Sequence, residues 1–324
     1  MDELIGLGAI EGAKDQLGNL IANFLLSLDV KQNSKKTYGR GLKQFIGWIR
    51  SQNIQNPTRE TILAYKNYLI AQGKTSFTVQ SYLVSVRKFF EYVEGMKLYP
   101  NVAKGVKGMK RSKSFKKDPL TIEQIKLLLG SVDQSNIEGL RTYAILNLLI
   151  RTGIRTIELV RADIGDIRPQ SGEMVLWICG KGRDDKDEFV VLTEAALKPI
   201  RDYLNRRGIV KDNAPLFVSN SDRNKNQRLT PRSISRIVKE NLRKVSINNG
   251  RTTAHSLRHT AITLALQGGA TIQEAQALGR HQSVDTTLLY AHNSHRVLNA
   301  AEKKIDEILR ENFQTGSSGQ PLAA

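Results

Sequence analysis

The chain has 324 residues, more than one hydrophobic core usually supports, so we expect two domains. Its single cysteine, Cys179, excludes an intramolecular disulfide framework and a thiolate metal cluster, and fits a packing role in a reducing cytoplasm. The formal net charge of +18, from 49 basic and 31 acidic residues, favours a polyanionic partner. Nucleic acid is the first candidate, although a basic enzyme of unrelated function would share this charge.

The sequence carries no pattern typical of export or membrane insertion. Asp2 and Glu3 stand where a secretory signal would carry basic residues. Apolar runs such as 144–150 are far shorter than the roughly 20 residues that span a bilayer. We therefore expect no membrane partner and a cytoplasmic location.

The N-terminal segments show the periodicity of amphipathic helices. After an extension over residues 1–14, apolar residues recur every three to four positions in four segments. This pattern predicts a helical-bundle domain over residues 15–100. Its exposed faces carry six basic residues that are candidates for DNA contact: Lys35, Lys36, Arg40, Lys43, Arg87 and Lys88.

A basic stretch follows this domain. Between Lys104 and Lys117 there are seven basic residues, two glycines and no acidic residue. Such a composition resists packing and is typical of a linker. We therefore predict a linker over residues 101–118, placed to run along a DNA backbone.

The next segments predict the start of a helical domain. Thr121 begins a capping-box signature for a helix that reaches about residue 129. The apolar segment 140–150 predicts a buried helix that ends near Gly153, and a short helix should follow at 156–160. Arg155 is therefore expected at a junction between two helices.

A β-hairpin pattern comes next. Residues 173–179 and 188–192 are short and apolar, and the polar segment 180–185 separates them. Residues 216–218 are a candidate third strand. Helices are expected again from Thr230-Pro231, over 254–267 and after Thr271.

Together these patterns predict a fold that is mainly α with a small antiparallel sheet. The sheet belongs to an α+β domain over residues 119–310, and a flexible tail is expected at 311–324. The N-terminal helical bundle is the other domain.

His255 and Arg258 stand three residues apart in the segment HSLRHT. On a helix these two positions share a face, so a proton-handling group would lie beside a fixed cation. The segment resembles the H-x-x-R box of the tyrosine recombinase family, which includes phage lambda integrase, Cre and the Xer proteins.

The resemblance extends upstream. The segment TGIRTIEL is similar to the first arginine box of the family, with Arg155 as its arginine and Glu158 as its accompanying acidic residue. The family keeps a lysine in a hairpin, and GKG places Lys181 in the predicted hairpin.

The resemblance also extends downstream. The segments LGRH and TTLLYAH are similar to the last two boxes, with an interval of nine residues from His281 to Tyr290. Many relatives read Leu-Gly-His where this chain has Gly279-Arg280-His281. The extra cation Arg280 is therefore a candidate for contact with DNA or with a neighbouring subunit.

The resemblance implies DNA cleavage by a phenol. Tyr290 would attack a phosphodiester, and Arg155 and Arg258 would bind its non-bridging oxygens. The product would be a 3′-phosphotyrosyl link with a free 5′ hydroxyl, so no metal, ATP or other cofactor is expected. The remaining roles are deprotonation by His255, protonation of the 5′ oxygen by Lys181, and a phosphate hydrogen bond from His281.

The resemblance also implies that the chain forms a two-domain clamp around duplex DNA, with residues 119–310 as its catalytic domain, and that such chains assemble. Strand exchange would follow through a Holliday junction in a homotetramer. The segment 296–310 has an apolar face opposite a charged one, which favours docking into a neighbouring subunit, although it could pack in cis. An accessory directionality factor is left open.

Other interpretations of the same residues are weaker. His255 and His259 are spaced like a helical zinc pair, but a matching third ligand and a general-base glutamate between them are missing. The 180–182 loop lacks the frame of a nucleotide-binding loop. A type IB topoisomerase or a non-cleaving DNA-binding regulator would share part of the pattern.

The biological role is less determined. The Gly-Arg-His variation and the basic linker favour a recombinase that integrates, excises or resolves a mobile element, and a chromosome or plasmid dimer resolvase of the Xer type is the alternative. Because the segment before residue 17 is short, we expect a simple recombinase rather than a lambda-type integrase with a separate arm-binding domain. Arg232 is a further candidate for DNA contact, and the target sequence is not encoded in any motif.

Overall fold

The computed structural model describes residues 13–110, 117–180, 182–208, 211–290 and 301–315. The chain divides into two compact units, residues 1–113 and 114–324. Both units are built mainly of helices, and one small antiparallel sheet lies in the described part of the second. The predicted fold class is confirmed.

The N-terminal unit contains four helices in its described residues. Two of these helices have a threonine as their N-cap residue. The side chains of Thr58 and Thr75 accept hydrogen bonds from backbone N–H groups in the first turn of the helix that follows. The helices are α1 (Ala13–Ser27), α2 (Gln32–Ser51), α3 (Arg59–Ala71) and α4 (Ser76–Gly95).

Aromatic rings fill the core of this unit. The ring centroid of Phe45 lies 5.0 Å from that of Tyr65 and 6.1 Å from that of Phe90, and all three side chains are buried. Helices α2 and α4 approach closely where Gly41 faces Ser85. A Cβ at Gly41 would lie 2.4 Å from the Ser85 Oγ, so this helix pair requires glycine there.

Residues 101–110 pack against the bundle, and the predicted linker is wrong for this half. Val106 is 1% exposed, and its carbonyl oxygen accepts a hydrogen bond of 2.8 Å from Arg87. The carbonyl oxygen of Lys104 accepts one of 2.6 Å from Arg59. The lysines of this segment are exposed, whereas Ala103 and Val106 are buried and Val102 and Met109 are partly buried. The overall composition does not show this alternation.

The helices of the C-terminal unit follow the predicted caps. Thr121 and Thr271 each form the expected capping box, with Gln124 and Glu274 respectively. The described helices are α5 (Ile122–Gly130), α6 (Ile137–Thr152), α7 (Thr156–Arg161), α8 (Glu194–Arg207), α9 (Pro231–Lys244), α10 (Ala254–Gln267), α11 (Ile272–Gly279), α12 (284–290) and α13 (Ala301–Thr315).

Helix α6 lies at the centre of this unit and packs against α8 and α10. Its side chains from Ala144 to Leu149 are almost completely buried. The one polar residue among them, Asn147, donates to the carbonyl oxygen of Ala195 at 2.7 Å. The burial of α6 fixes its C-terminal end, from which the first residues of the candidate site extend.

The sheet has the order β1-β2-β3, with β1 (Ile167–Gln170), β2 (Glu173–Ile178) and β3 (Glu188–Val191). All pairings are antiparallel, and Leu176 of β2 faces Ile167 and Val190. The predicted hairpin is confirmed. The predicted third strand at 216–218 is wrong, because Val218 makes only an isolated bridge with Arg228 while β1 takes that place.

The last described helix extends beyond residue 310, where the flexible tail was predicted to begin. Helix α13 reaches Thr315, so the flexible tail predicted from residue 311 is wrong for its first five residues. Ile305 and Leu309 on this helix are 56% and 46% exposed. In the part of the chain that the structure describes, no helix has the length and apolar character needed to cross a bilayer.

Candidate active site

The junction between α6 and α7 positions Arg155. Gly153 ends α6 in the left-handed conformation, with φ of 58°, which glycine adopts readily. Arg155 then caps α7, and its backbone N–H and its Nη1 donate to the Glu158 carboxylate at 2.7 and 2.6 Å. Glu158 is 0% exposed. This carboxylate therefore fixes both the backbone and the guanidinium of Arg155.

The pKa of Glu158 is lowered by its surroundings. Burial alone would raise this pKa, but the positive charge of Arg280 and the hydrogen bonds from Arg155 outweigh burial. Glu158 is therefore an ionised carboxylate inside the protein, paired with two guanidiniums.

Helix α10 supplies Arg258 from the opposite side. Its side chain is 3% exposed, and Nη1 donates to the carbonyl oxygen of Gly153 at 2.5 Å. Its Nη2 donates to the carbonyl oxygen of Gly279. Burial and the charges of Arg155 and Arg280 lower the Arg258 pKa to about 9, which leaves it protonated at neutral pH.

Two guanidiniums meet at a single acceptor. The carbonyl oxygen of Gly279 accepts from Nη2 of Arg155 at 3.4 Å and from Nη2 of Arg258. A Cβ at Gly279 would lie 2.8 Å from the imidazole of His281, so glycine lets this backbone pass beneath the ring. Arginine donors directed at one oxygen form an arrangement suited to binding an oxyanion.

Arg280 does not reach the surface, which contradicts its assignment as a DNA or subunit contact. Its side chain is 5% exposed and pairs with Glu158 at 2.9 Å. It also donates to the carbonyl oxygens of Gly153 and Leu278. Because its guanidinium is enclosed and paired, Arg280 belongs to the interior of the site.

Tyr290 lies between two histidine rings. Its ring centroid is 5.0 Å from that of His259 and 5.7 Å from that of His281, and the residue is 4% exposed. Burial raises its pKa to about 12, although the charges of Arg258 and Arg155 act in the opposite direction. The hydroxyl is therefore protonated at neutral pH and needs a base to become a nucleophile.

The histidines of the site are neutral at pH 7. Burial and nearby positive charges lower the pKa of both His259 and His281 to about 4. The pKa of His255, which lies on the exposed side of α10, is lowered by desolvation and by the charges of Arg258, Arg155 and Lys117. Neutral imidazoles can accept protons or donate hydrogen bonds.

Two residues of the site were not assigned from sequence. His259 contacts the rings of both His255 and Tyr290, with centroids at 4.7 and 5.0 Å. Thr287 places its Oγ1 2.9 Å from Nδ1 of His281. The spacing of His255 and His259 carried a signal, since positions four apart share a helix face.

Lys181 lies outside the described residues, but its neighbours are well anchored. Arg161 donates to Sγ of Cys179 at 3.1 Å and to the carbonyl oxygen of Arg183 at 3.1 Å. Lys186 pairs with Asp163 at 2.7 Å and with Asp166 at 2.6 Å. These contacts hold the hairpin on both sides of the predicted lysine. Cys179 is buried, as a packing role requires.

The DNA-contact candidates differ in exposure. Arg87 is half-buried and donates to the carbonyl oxygen of Val106, so its assignment to an exposed face is wrong. Lys35 donates to the carbonyl oxygen of Leu26 at 3.2 Å, and Lys88 pairs with Glu91 at 2.9 Å. The exposed candidates that make none of these contacts are Lys36, Arg40, Lys43 and Arg232.

Two family models match the chain. Residues 119–296 match the model described as Phage integrase family, which covers more than half of the chain. Residues 21–95 match the model described as Phage integrase, N-terminal SAM-like domain. The matches fall within the two compact units.

Individual proteins agree with the family models. A tyrosine recombinase XerC of Pelobacter propionicus is 31% identical over 85% of this chain and 90% of its own. A tyrosine recombinase XerD of Halalkalibacterium halodurans is 29% identical over 81% of this chain and 88% of its own.

Solved structures share the fold. The post-cleavage complex of the site-specific recombinase XerH with a palindromic difH substrate has a TM-score of 0.73. It is 19% identical, and the match covers 93% of this chain and 99% of that one. From the family models and the relatives above 30% identity, this chain belongs to the phage integrase family and is a tyrosine recombinase.

Proposed function

We propose that the chain cleaves and rejoins duplex DNA at a specific site, with Tyr290 as the nucleophile. The convergence of Arg155 and Arg258 on the carbonyl oxygen of Gly279 carries this proposal. The charges of both arginines also act on the hydroxyl of Tyr290. A non-bridging phosphate oxygen is a stronger acceptor than a carbonyl because it carries negative charge, and it would take over these donors.

The proposed chemistry is a phosphoryl transfer without net hydrolysis. The phenolate oxygen of Tyr290 forms a bond to phosphorus as the bond from phosphorus to the 5′ oxygen breaks. Negative charge increases on the non-bridging oxygens in the pentavalent transition state, where the two guanidiniums stabilise it. The 3′-phosphotyrosyl link conserves the bond energy, so rejoining is the reverse attack by a 5′ hydroxyl.

Two proton transfers accompany this step. His255 is proposed to take the proton from Tyr290, and its lowered pKa keeps it neutral and able to accept at pH 7. Lys181 is proposed to give a proton to the departing 5′ oxygen. His281 is held through Nδ1 by Thr287, and the N–H of its other ring nitrogen would donate a hydrogen bond to a non-bridging oxygen.

The proposed partner is a double-stranded recombination site. Exposed cations on α2, namely Lys36, Arg40 and Lys43, follow one another at helical spacing and suit contact with a phosphate backbone. Arg232, near the start of α9, offers a similar contact from the C-terminal unit. Such contacts position the protein and leave sequence readout to other side chains.

The proposed assembly is a homotetramer on DNA. Ile305 and Leu309 of α13 stand four residues apart, and both are largely exposed. An apolar face of this kind favours burial against a neighbouring subunit. Exchange of α13 between subunits would couple cleavage to assembly.

Similarity to XerC and XerD over more than 80% of the chain favours a Xer-type role, the resolution of chromosome or plasmid dimers. Integration or excision of a mobile element is the second candidate. A plasmid with two directly repeated target sites separates these roles. Resolution by the purified chain or with one further recombinase supports the first, and a requirement for non-identical sites supports the second.

A nicked duplex pool, randomised over one arm, tests the proposed chemistry. Cleavage near the nick releases a short strand, so the protein remains covalently attached and captured duplexes can be sequenced. We expect the wild-type chain to form this adduct and to assemble junctions from two captured sites. Relaxation of supercoils without junctions would indicate a topoisomerase, and binding without an adduct would indicate a regulator.

A further inference from the structure

Arg280 occupies a backbone conformation that disfavours its side chain. It ends α11 with φ of 46° and ψ of 50°, the left-handed region where helices commonly place glycine. An L-residue with a Cβ is strained there. The contacts of the Arg280 side chain must therefore offset the strain of its backbone.

The side chain of Arg280 joins three parts of the site. Its Nη2 donates to Glu158 Oε2 at 2.9 Å and to the carbonyl oxygen of Gly153 at 3.2 Å. Its Nη1 donates to the carbonyl oxygen of Leu278 at 2.9 Å. These hydrogen bonds connect the C-terminal end of α11 to α7 and to Gly153, which ends α6.

Glu158 is the group on which this contact acts. One of its oxygens accepts from Nη1 of Arg155, and the other accepts from the Arg155 backbone N–H and from Arg280. The carboxylate is fully buried, and a buried charge that loses a partner is strongly disfavoured.

We propose that Arg280 is a positioning residue for strand cleavage, which keeps Glu158 ionised and oriented so that Glu158 holds the guanidinium of Arg155 at the phosphate. This inference rests on the proposed function, because it assigns Arg155 to the scissile phosphate. It explains why a cation stands at a position whose backbone conformation favours glycine.

The charged groups around Glu158 define the expected pH dependence. Arg155 of the α7 cap, Arg280 after α11 and Arg258 of α10 face it, and Glu188 of β3 acts on Arg280. Removing Arg280 removes the largest of the charges that lower the Glu158 pKa. Glu158 would then be protonated at a higher pH, and cleavage would be lost on the acidic side at a higher pH than in the wild type.

The test compares single-turnover cleavage of the captured nicked duplex by four chains over a range of pH. The chains are the wild type, Arg280→Gly, Glu158→Gln and the double variant. We expect Arg280→Gly to bind the duplex as the wild type does and to cleave it on the order of tenfold more slowly, as for loss of a charge-assisted hydrogen bond. The double variant should match Glu158→Gln, because Arg280 acts through that carboxylate.

Ser171→Gly is the matched control, since Ser171 is also left-handed, with φ of 50°, and lies in the turn between β1 and β2. Arg280→Lys keeps a cation. It should cleave faster than Arg280→Gly and should keep more of its cleavage rate at acidic pH. If Arg280→Gly does not fold, Arg280→Lys is combined with Glu158→Gln, and this double variant should again match Glu158→Gln.

Two results would overturn the inference. The first is an Arg280→Gly chain with the rate and pH profile of the wild type. The second is a double variant whose defect equals the product of the two single defects. Failure of the wild type to form an adduct would instead contradict the proposed function.

Discussion

The ring of Tyr290 lies nearly parallel to that of His281, with 18° between the planes and 5.7 Å between the centroids. Thr287, three residues before Tyr290 on α12, contacts Nδ1 of the same imidazole at 2.9 Å. One helix therefore aligns the proposed nucleophile with the histidine assigned to the phosphate. A shift of α12 would move both groups together.

Replacing Arg258 by lysine should separate charge from geometry. Lysine keeps the positive charge but cannot direct two nitrogens at the carbonyl oxygens of Gly153 and Gly279 as Arg258 does. We expect cleavage of the nicked duplex to slow by on the order of 10²-fold, with little change in the dissociation constant for DNA.

The control for this variant is Arg201→Lys on α8. It makes the same substitution at an exposed arginine that pairs with Glu194 and lies outside the site. It should cleave as the wild type does. An Arg258→Lys chain that cleaves at the wild-type rate would contradict the role of Arg258 at the phosphate.

The role of Lys181 can be tested through the leaving group. A general acid is needed for a 5′ oxygen but much less for a 5′ sulfur, because a thiolate leaves without protonation. We expect Lys181→Ala to slow cleavage of the ordinary duplex by on the order of 10²-fold or more. A duplex with sulfur at the scissile 5′ position should restore most of the rate. An equal defect on both duplexes would assign Lys181 another role.

The buried histidines should make stability depend on pH. His259 has a pKa of about 4 in the folded chain against 6.5 for an unperturbed group. The unfolded chain therefore binds more protons between these values, and the free energy of unfolding falls as the pH falls through this range. Between pH 7 and pH 5 this histidine should contribute a loss of about 2 kcal/mol.

Urea unfolding followed by Trp177 fluorescence measures this loss in the C-terminal unit. A Trp48→Phe background leaves Trp177 as the remaining tryptophan. Adding His259→Gln to that background should reduce the difference in unfolding free energy between the two pH values. An unchanged difference would show that His259 does not titrate as its buried position requires.

Helix α13 should matter for assembly more than for DNA binding. A chain that ends at Ser294 is expected to bind the nicked duplex but to form no tetramer, because it lacks the apolar face with Ile305 and Leu309. Sedimentation of the DNA complexes measures this. Ile305→Asp should give the same result, and Lys303→Ala is its control. A truncated chain that recombines two sites at the wild-type rate would contradict this account.

Local rules were enough to predict much of the fold. Thr121 and Thr271 each precede a helix, and their hydroxyls accept from the backbone N–H three residues later. The side chains of Gln124 and Glu274 accept from the backbone N–H groups of the two threonines, so each capping box lies within one turn. The spacing of His255 and Arg258 on α10 is a similar local property. Strand β1 was missed because it is short and contains Pro169, so its place depends on pairing with β2.

The parts that could not be predicted depend on contacts between distant residues. Arg280 has the sequence signature of a surface cation, and its burial depends on Glu158, which lies more than one hundred positions earlier. Val106 lies among lysines, so composition concealed its burial. The contact between the rings of His259 and Tyr290 likewise joins two helices, α10 and α12. The sequence pattern of either helix alone does not predict this contact.

The position of the covalent adduct shows directly whether Tyr290 is the nucleophile. The wild-type chain is reacted with the nicked duplex, digested with nuclease and protease, and analysed by mass spectrometry for a peptide that carries a nucleotide. We expect a single adduct on Tyr290 through a 3′ phosphate, and none in a Tyr290→Phe chain that keeps the ring beside His259 and His281. An adduct on another residue, or one that persists in the phenylalanine variant, would contradict the role of Tyr290 as the nucleophile.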